Sequence, residues 1–148
     1  MKVNLLVVSD SDKHFSEAIG EYSKRLWNDI RIIEVKPERN GSRDQIIKKE
    51  TNKIIEKIEW IKDSHVILLA KEGKNITTEQ FVWIIKKYNT VTYIIGGPYG
   101  VDMELCKKYI NDYIAFGAMT LPHGLAKLVI LEQVYRAKTI IVWREYHY

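Results

Sequence analysis

Short apolar, β-branched runs alternate with amphipathic stretches along nearly the whole chain, and that alternation restricts the fold more than any other feature. Lys2 to Val8, Ile30 to Val35, Val66 to Leu69, Val91 to Ile95 and Tyr113 to Phe116 read as strands. Between the first two, Phe15, Ile19, Tyr22 and Leu26 fall on one helical stripe within residues 14–27. Ser42 with Gln45, and Thr77 with Gln80, have the spacing of capping boxes. The first opens a long helix carrying Ile47, Ile54, Ile58 and Ile61 on one face, and the second a helix from Glu79 to Tyr88. Lys71-Glu72-Gly73-Lys74 predicts a turn, Met103 to Ile110 a short helix, and His123 to Ala137 the last helix.

Strands joined by helices make βαβ units, so the expected class is α/β, a mainly parallel sheet flanked by helices. Val66 to Leu69 is apolar at successive positions, the pattern of a strand buried on both faces. No repeat and no linker-like composition divides the chain, so residues 1–148 are expected to form a single domain.

Composition removes several functional classes. Apolar residues make up 46% and charged residues 28%, a mix that excludes a disordered chain. No apolar run reaches the roughly 18 residues of a membrane span. Met1 to Val8 is too short in its apolar part for a signal peptide. A single cysteine, Cys106, excludes an intrachain disulfide and a cysteine cluster, and a cytoplasmic setting is expected. His14 and His65 have no partner at ligand spacing, so no metal is expected. The net charge of +4 favours an anionic partner, and both halves of the chain share the excess. Any surface for such a partner must therefore be assembled by folding.

In parallel sheets, ligands sit beyond the carboxyl ends of the strands. That rule singles out the loops after Leu69, Ile95 and Phe116. The second, Gly96-Gly97-Pro98-Tyr99-Gly100, reads either as a tight strand-to-helix turn or as a site where backbone amides approach a ligand. It is neither a Rossmann nor a Walker signature. The third leads through Met119-Thr120-Leu121-Pro122 to His123, either an ordinary helix entry or a ligand loop. The last helix is apolar on nearly every face, which predicts burial against the sheet on one side and a second subunit on the other. Glu132 and Arg136 have the spacing of an ion pair. The terminal Tyr146-His147-Tyr148 is either a frayed end or an aromatic, titratable contact for a nucleobase.

Four of these segments, in this order, carry a family resemblance over the whole length. They are Ile95-Gly96-Gly97-Pro98-x-Gly100, Leu121-Pro122-His123, Leu131-Glu132-Gln133-x-Tyr135-Arg136-Ala137 and terminal Tyr146-His147. Through them the chain resembles the small single-domain SPOUT methyltransferases of the YbeA type, which modify N3 of a pseudouridine in large-subunit ribosomal RNA. The resemblance implies a deep trefoil knot in the carboxyl-terminal third and a homodimer with the last helix in its interface. It also implies a pocket for S-adenosyl-L-methionine comprising Leu69, Ala70, Gly97, Gly117, Ala118, Met119, Thr120, Leu121 and Pro122.

Methylating N3 requires removal of an imide proton by a positioned base. His123, Glu132 and His147 are the candidates, with Tyr146 beside them in the tail. Arg136 and Lys127 are cast as phosphate or nucleobase contacts, or as partners of Glu132, and the tail of one protomer as completing its partner's site. Family members commonly carry an acidic residue at the position of Ala70 and arginine at that of Lys127, departures that bear on the substrate. The same fold would also serve a tRNA methyltransferase or a non-catalytic, ribosome-binding dimer. A flavodoxin-like nucleotide binder is disfavoured by the missing phosphate-loop spacing.

Overall fold

The computed structural model describes residues 1–9 and 13–142; Tyr146 and His147 lie outside the described residues. Five strands, β1 (Lys2–Val8), β2 (Ile30–Val35), β3 (His65–Asn75), β4 (Thr90–Ile95) and β5 (Asp112–Ala115), form one sheet in the order β2-β1-β4-β3-β5. Every neighbouring pair is parallel. The helices are α1 (Ser16–Leu26), α2 (Arg43–Trp60), α3 (Thr78–Lys87), α4 (Met103–Cys106) and α5 (His123–Ile141).

Successive strand residues point to opposite faces, and both faces are covered. Leu5, Val7, Ile67 and Tyr93 meet Ile19, Phe81, Ile130 and Val134 in one core, where α5 packs beside α1 and α3. Leu6, Val8, Leu68 and Ile94 meet Ile54, Ile58 and Cys106 in the other, under α2 and α4. Both expected capping boxes form: Ser42 Oγ accepts from the Gln45 N–H and Thr77 Oγ1 from the Gln80 N–H, each with the reciprocal glutamine bond. Each box satisfies two backbone donors that a helix start otherwise leaves open.

Three local expectations are corrected. Residues Lys71 to Lys74 do not turn but continue β3, whose register against β5 slips between Leu69 and Lys74. Gly73 serves close approach rather than a turn, since a Cβ there would stand 2.6 Å from the Ile114 carbonyl oxygen. The helix expected from Met103 to Ile110 is the single α-turn of α4 followed by a 3-10 turn over Lys107–Tyr109. The last helix continues past Ala137 to Ile141.

Candidate active site

Strands β4, β3 and β5 lie side by side, and one cavity of about 750 Å³ opens between the irregular stretch of β3 from Leu68 to Glu72 and the loops that follow β4 and β5. Leu69 and Ala70 form one wall, Ile95 to Gly100 a second, and Phe116, Gly117 and Met119 to Leu121 a third; Pro122, His123 and Ala126 close it from α5. Of the nine residues expected to hold a methyl donor, eight line this space. Ala118 is exposed and does not.

Each wall is set by identifiable local chemistry. The Gly100 N–H donates to the Gly97 carbonyl at 2.9 Å, closing a tight turn in which Gly100 takes φ +80°. Gly97 lies against α2: a Cβ on it would run into the buried Glu50 carboxylate. Glu50 Oε2 accepts the Glu38 N–H at 3.0 Å, and the neighbouring buried Thr51 accepts the Asp102 N–H at 2.9 Å. Helix α2 thus supports the glycine loop from behind at its start and just past its end. Asp102 in turn caps the Leu105 N–H. In the third loop, the Gly117 N–H donates to Asn75 Oδ1 at 3.2 Å, which ties that loop to the end of β3.

The walls are mostly apolar; the side chains of Lys71, Glu72, Thr120 and His123 join the backbone amides and carbonyls of the loops as polar groups. Pro122 precedes α5 without a side-chain cap, so the first-turn N–H groups that a helix start leaves open are not taken by a capping side chain. Such a lining suits a flat heteroaromatic group held by directional backbone hydrogen bonds. At the rim, the Arg43 guanidinium sits 5.0 Å from the centre of the Tyr99 ring, and Met119 is 80% exposed.

The candidate catalytic residues are not all brought together. His123 lines the cavity as the first residue of α5. Glu132 and Arg136 form a close pair, 2.6 Å from Nη2 to Oε1, and Gln133 Nε2 donates to the other Glu132 oxygen at 2.7 Å. They lie nine and thirteen residues farther along α5 than His123, about 14 and 20 Å at 1.5 Å per residue, and neither lines the cavity. Lys127, cast as an RNA contact or a partner of Glu132, is buried, with its ammonium 3.3 Å from Glu34. Glu50 and Thr51 escaped sequence reading because they sit in a lysine- and glutamate-rich helix whose polar residues read as a solvent face. Among the described residues no group of three or more His, Cys, Asp or Glu side chains could hold a metal ion. No described helix is long and apolar enough to cross a membrane.

The comparisons agree with this geometry. The family model described as "Predicted SPOUT methyltransferase" matches residues 1–147. Proteins named ribosomal RNA large subunit methyltransferase H are similar over full length. The one from Streptococcus suis is 39% identical over 99% of both chains, that from Mycoplasmopsis synoviae 35% over 99% of both, and that from Thermotoga maritima 32% over all of both. A crystal structure of a candidate RNA methyltransferase from Bacillus anthracis shares the fold, with TM-score 0.62 and 12% identity over 93% of this chain and 94% of that one. With the cavity at the expected sheet edge and a match over virtually its whole length, the chain belongs to the SPOUT methyltransferase family.

Proposed function

We infer that this chain, as a homodimer, transfers the methyl group of S-adenosyl-L-methionine to N3 of a pseudouridine in large-subunit ribosomal RNA. The observation that carries the reading is the meeting of the irregular stretch of β3 after Leu69 with the loops after Ile95 and Phe116 around one cavity. The full-length relatives named as large-subunit ribosomal RNA methyltransferases supply the substrate class. A deep trefoil knot in the carboxyl-terminal third is part of the same reading, because it would hold the glycine loop and the loop before α5 in fixed register.

Leu69, Ala70, Gly97 and the 117–122 loop would hold the methyl donor, with apolar walls around its adenine and backbone groups fixing its orientation. When bound, it supplies an electrophilic methyl group on a sulfonium. Pre-positioning of the two reactants then provides much of the rate gain. His123, which lines the cavity, is assigned the removal of the imide proton. Glu132 and Arg136, outside the cavity of their own protomer, are assigned to the RNA-facing side, and Tyr146 and His147 to a tail that completes the partner's site. Leu125, Leu128 and Val129 remain only half-buried on α5, which supports a second copy packing there.

Mass mapping of ribosomal RNA from cells with and without the gene tests the reading. The expected result is loss of one methyl group from one pseudouridine of the large subunit. An unchanged map would refute the assigned substrate.

A further inference from the structure

The opposite edge of the sheet carries a second cleft. Strands β1, β2 and β4 begin there, and a groove of about 360 Å³ opens between their first residues and the segment leaving α2. Lys2, Arg31 and Lys62 line it together with Trp60, Asn28 and Asn4. Trp60 is 60% exposed, with the Arg31 guanidinium 4.4 Å from its ring centre. Asn4 forms part of the floor, fixed by a bond to Thr92. At about 3.3 Å per residue, a strand of six or seven residues puts this groove roughly 20 Å from the cofactor cavity.

Basic residues at this edge have an ordinary explanation, because α1, α2 and α3 all end here and cations favour helix carboxyl termini. Lys24, Arg25, Lys57, Lys86 and Lys87 occupy those last turns and fit it. Lys2 and Arg31 do not: they belong to strands, and Lys62 lies beyond the end of α2. None of the three forms an ion pair among the described residues. The acidic side chain in the groove, Asp29, is taken by Lys138 at 2.7 Å, and exposed Asp63 follows Lys62 in the chain. Burying apolar surface does not explain Trp60 either, nor Trp83, 58% exposed with Lys87 4.6 Å from its ring on the α3 side of the same edge.

We propose that this groove is a second RNA-contact site, in which a single-stranded nucleotide stacks its base on the Trp60–Arg31 pair and sets its phosphate between Lys2, Arg31 and Lys62. Exposed aromatic faces flanked by unpaired cations are how single strands are held without base-specific hydrogen bonds. The inference rests on the RNA-methyltransferase reading for its choice of ligand, and it extends the RNA surface to the end of the molecule away from the chemistry.

The test uses the full chain and a fluorescein-labelled ten-nucleotide single-stranded RNA of mixed sequence, followed by anisotropy across a salt series. Lys2→Glu and Lys62→Glu change exposed side chains and leave the core intact; Trp60→Ala removes the platform. Each variant is also titrated with S-adenosylhomocysteine and sized by light scattering. The expected result is at least about tenfold weaker RNA binding for each charge reversal, a shallower salt slope, and unchanged cofactor affinity and mass. RNA binding within twofold of the parent protein, or failure of the parent protein to bind the oligonucleotide at low salt, would overturn the site. Dissociation of a dimer by these substitutions would also overturn it, by making the edge an interface between copies. Failure to bind S-adenosylhomocysteine with RNA binding intact would count against the methyltransferase reading and leave the groove standing.

Discussion

The Glu50 carboxylate fills the space into which a side chain on Gly97 would grow, while its other oxygen holds the Glu38 N–H. One buried residue of α2 therefore sets the shape of the glycine loop and anchors the chain after β2. Gly97→Ala must displace either that carboxylate or the loop. The expected cost is about 1–3 kcal/mol in urea unfolding, with weaker binding of S-adenosylhomocysteine. Glu50→Ala makes room but strands the Glu38 N–H, at about 1–3 kcal/mol. The two substitutions together should cost less than their sum, because the second relieves the clash made by the first. Strict additivity would show that the contact is not what constrains position 97.

Glu132 divides its two oxygens between Arg136 and Gln133, and Gln133 Oε1 accepts from Thr78. A purely structural pair on a half-buried helix face contributes on the order of 1 kcal/mol. Glu132→Gln should therefore lower stability by no more than about that amount, and yet lower methyl transfer at least tenfold if the pair faces the RNA. Unchanged turnover would return Glu132 and Arg136 to a structural role.

The assignment of Tyr146 and His147 predicts that deleting residues 146–148 abolishes methyl transfer while the dimer mass and S-adenosylhomocysteine affinity persist. Full activity in the truncated chain would remove the tail from the catalytic account.

Cys106 is buried in the core between the sheet and α2, and burial pushes its thiol up from the ordinary value. A folded-state pKa raised in this way contributes stability that is fully present below the unfolded thiol value of about 8.5 and is lost as pH rises above it. The native protein at pH 8 should resist a thiol reagent and react stoichiometrically once urea unfolds it. Rapid labelling of the native protein would place Cys106 at the surface.

Much of this architecture was written in local pattern. Both capping boxes, the bounds of β1 and β2, and the cavity loops after Ile95 and Phe116 follow from residue order, because each depends on neighbours a few positions apart. What escaped depends on distant contacts. Gly73 looks like a turn glycine until Ile114, forty-one positions on, presses its backbone against it. Glu50 looks like one more solvent carboxylate until Gly97 folds over it. Lys127 looks like a free cation on α5 until β2 brings Glu34 alongside. In each case the residue type fits two environments, and only the tertiary partner chooses between them.

The central claim is that the irregular stretch of β3 after Leu69 and the loops after Ile95 and Phe116 together form a seat for the methyl donor. Calorimetric titration of the folded protein with S-adenosylhomocysteine measures that directly. The account predicts saturable binding in the micromolar range, weakened by Gly97→Ala. A folded sample that takes up no ligand at millimolar concentration would contradict it.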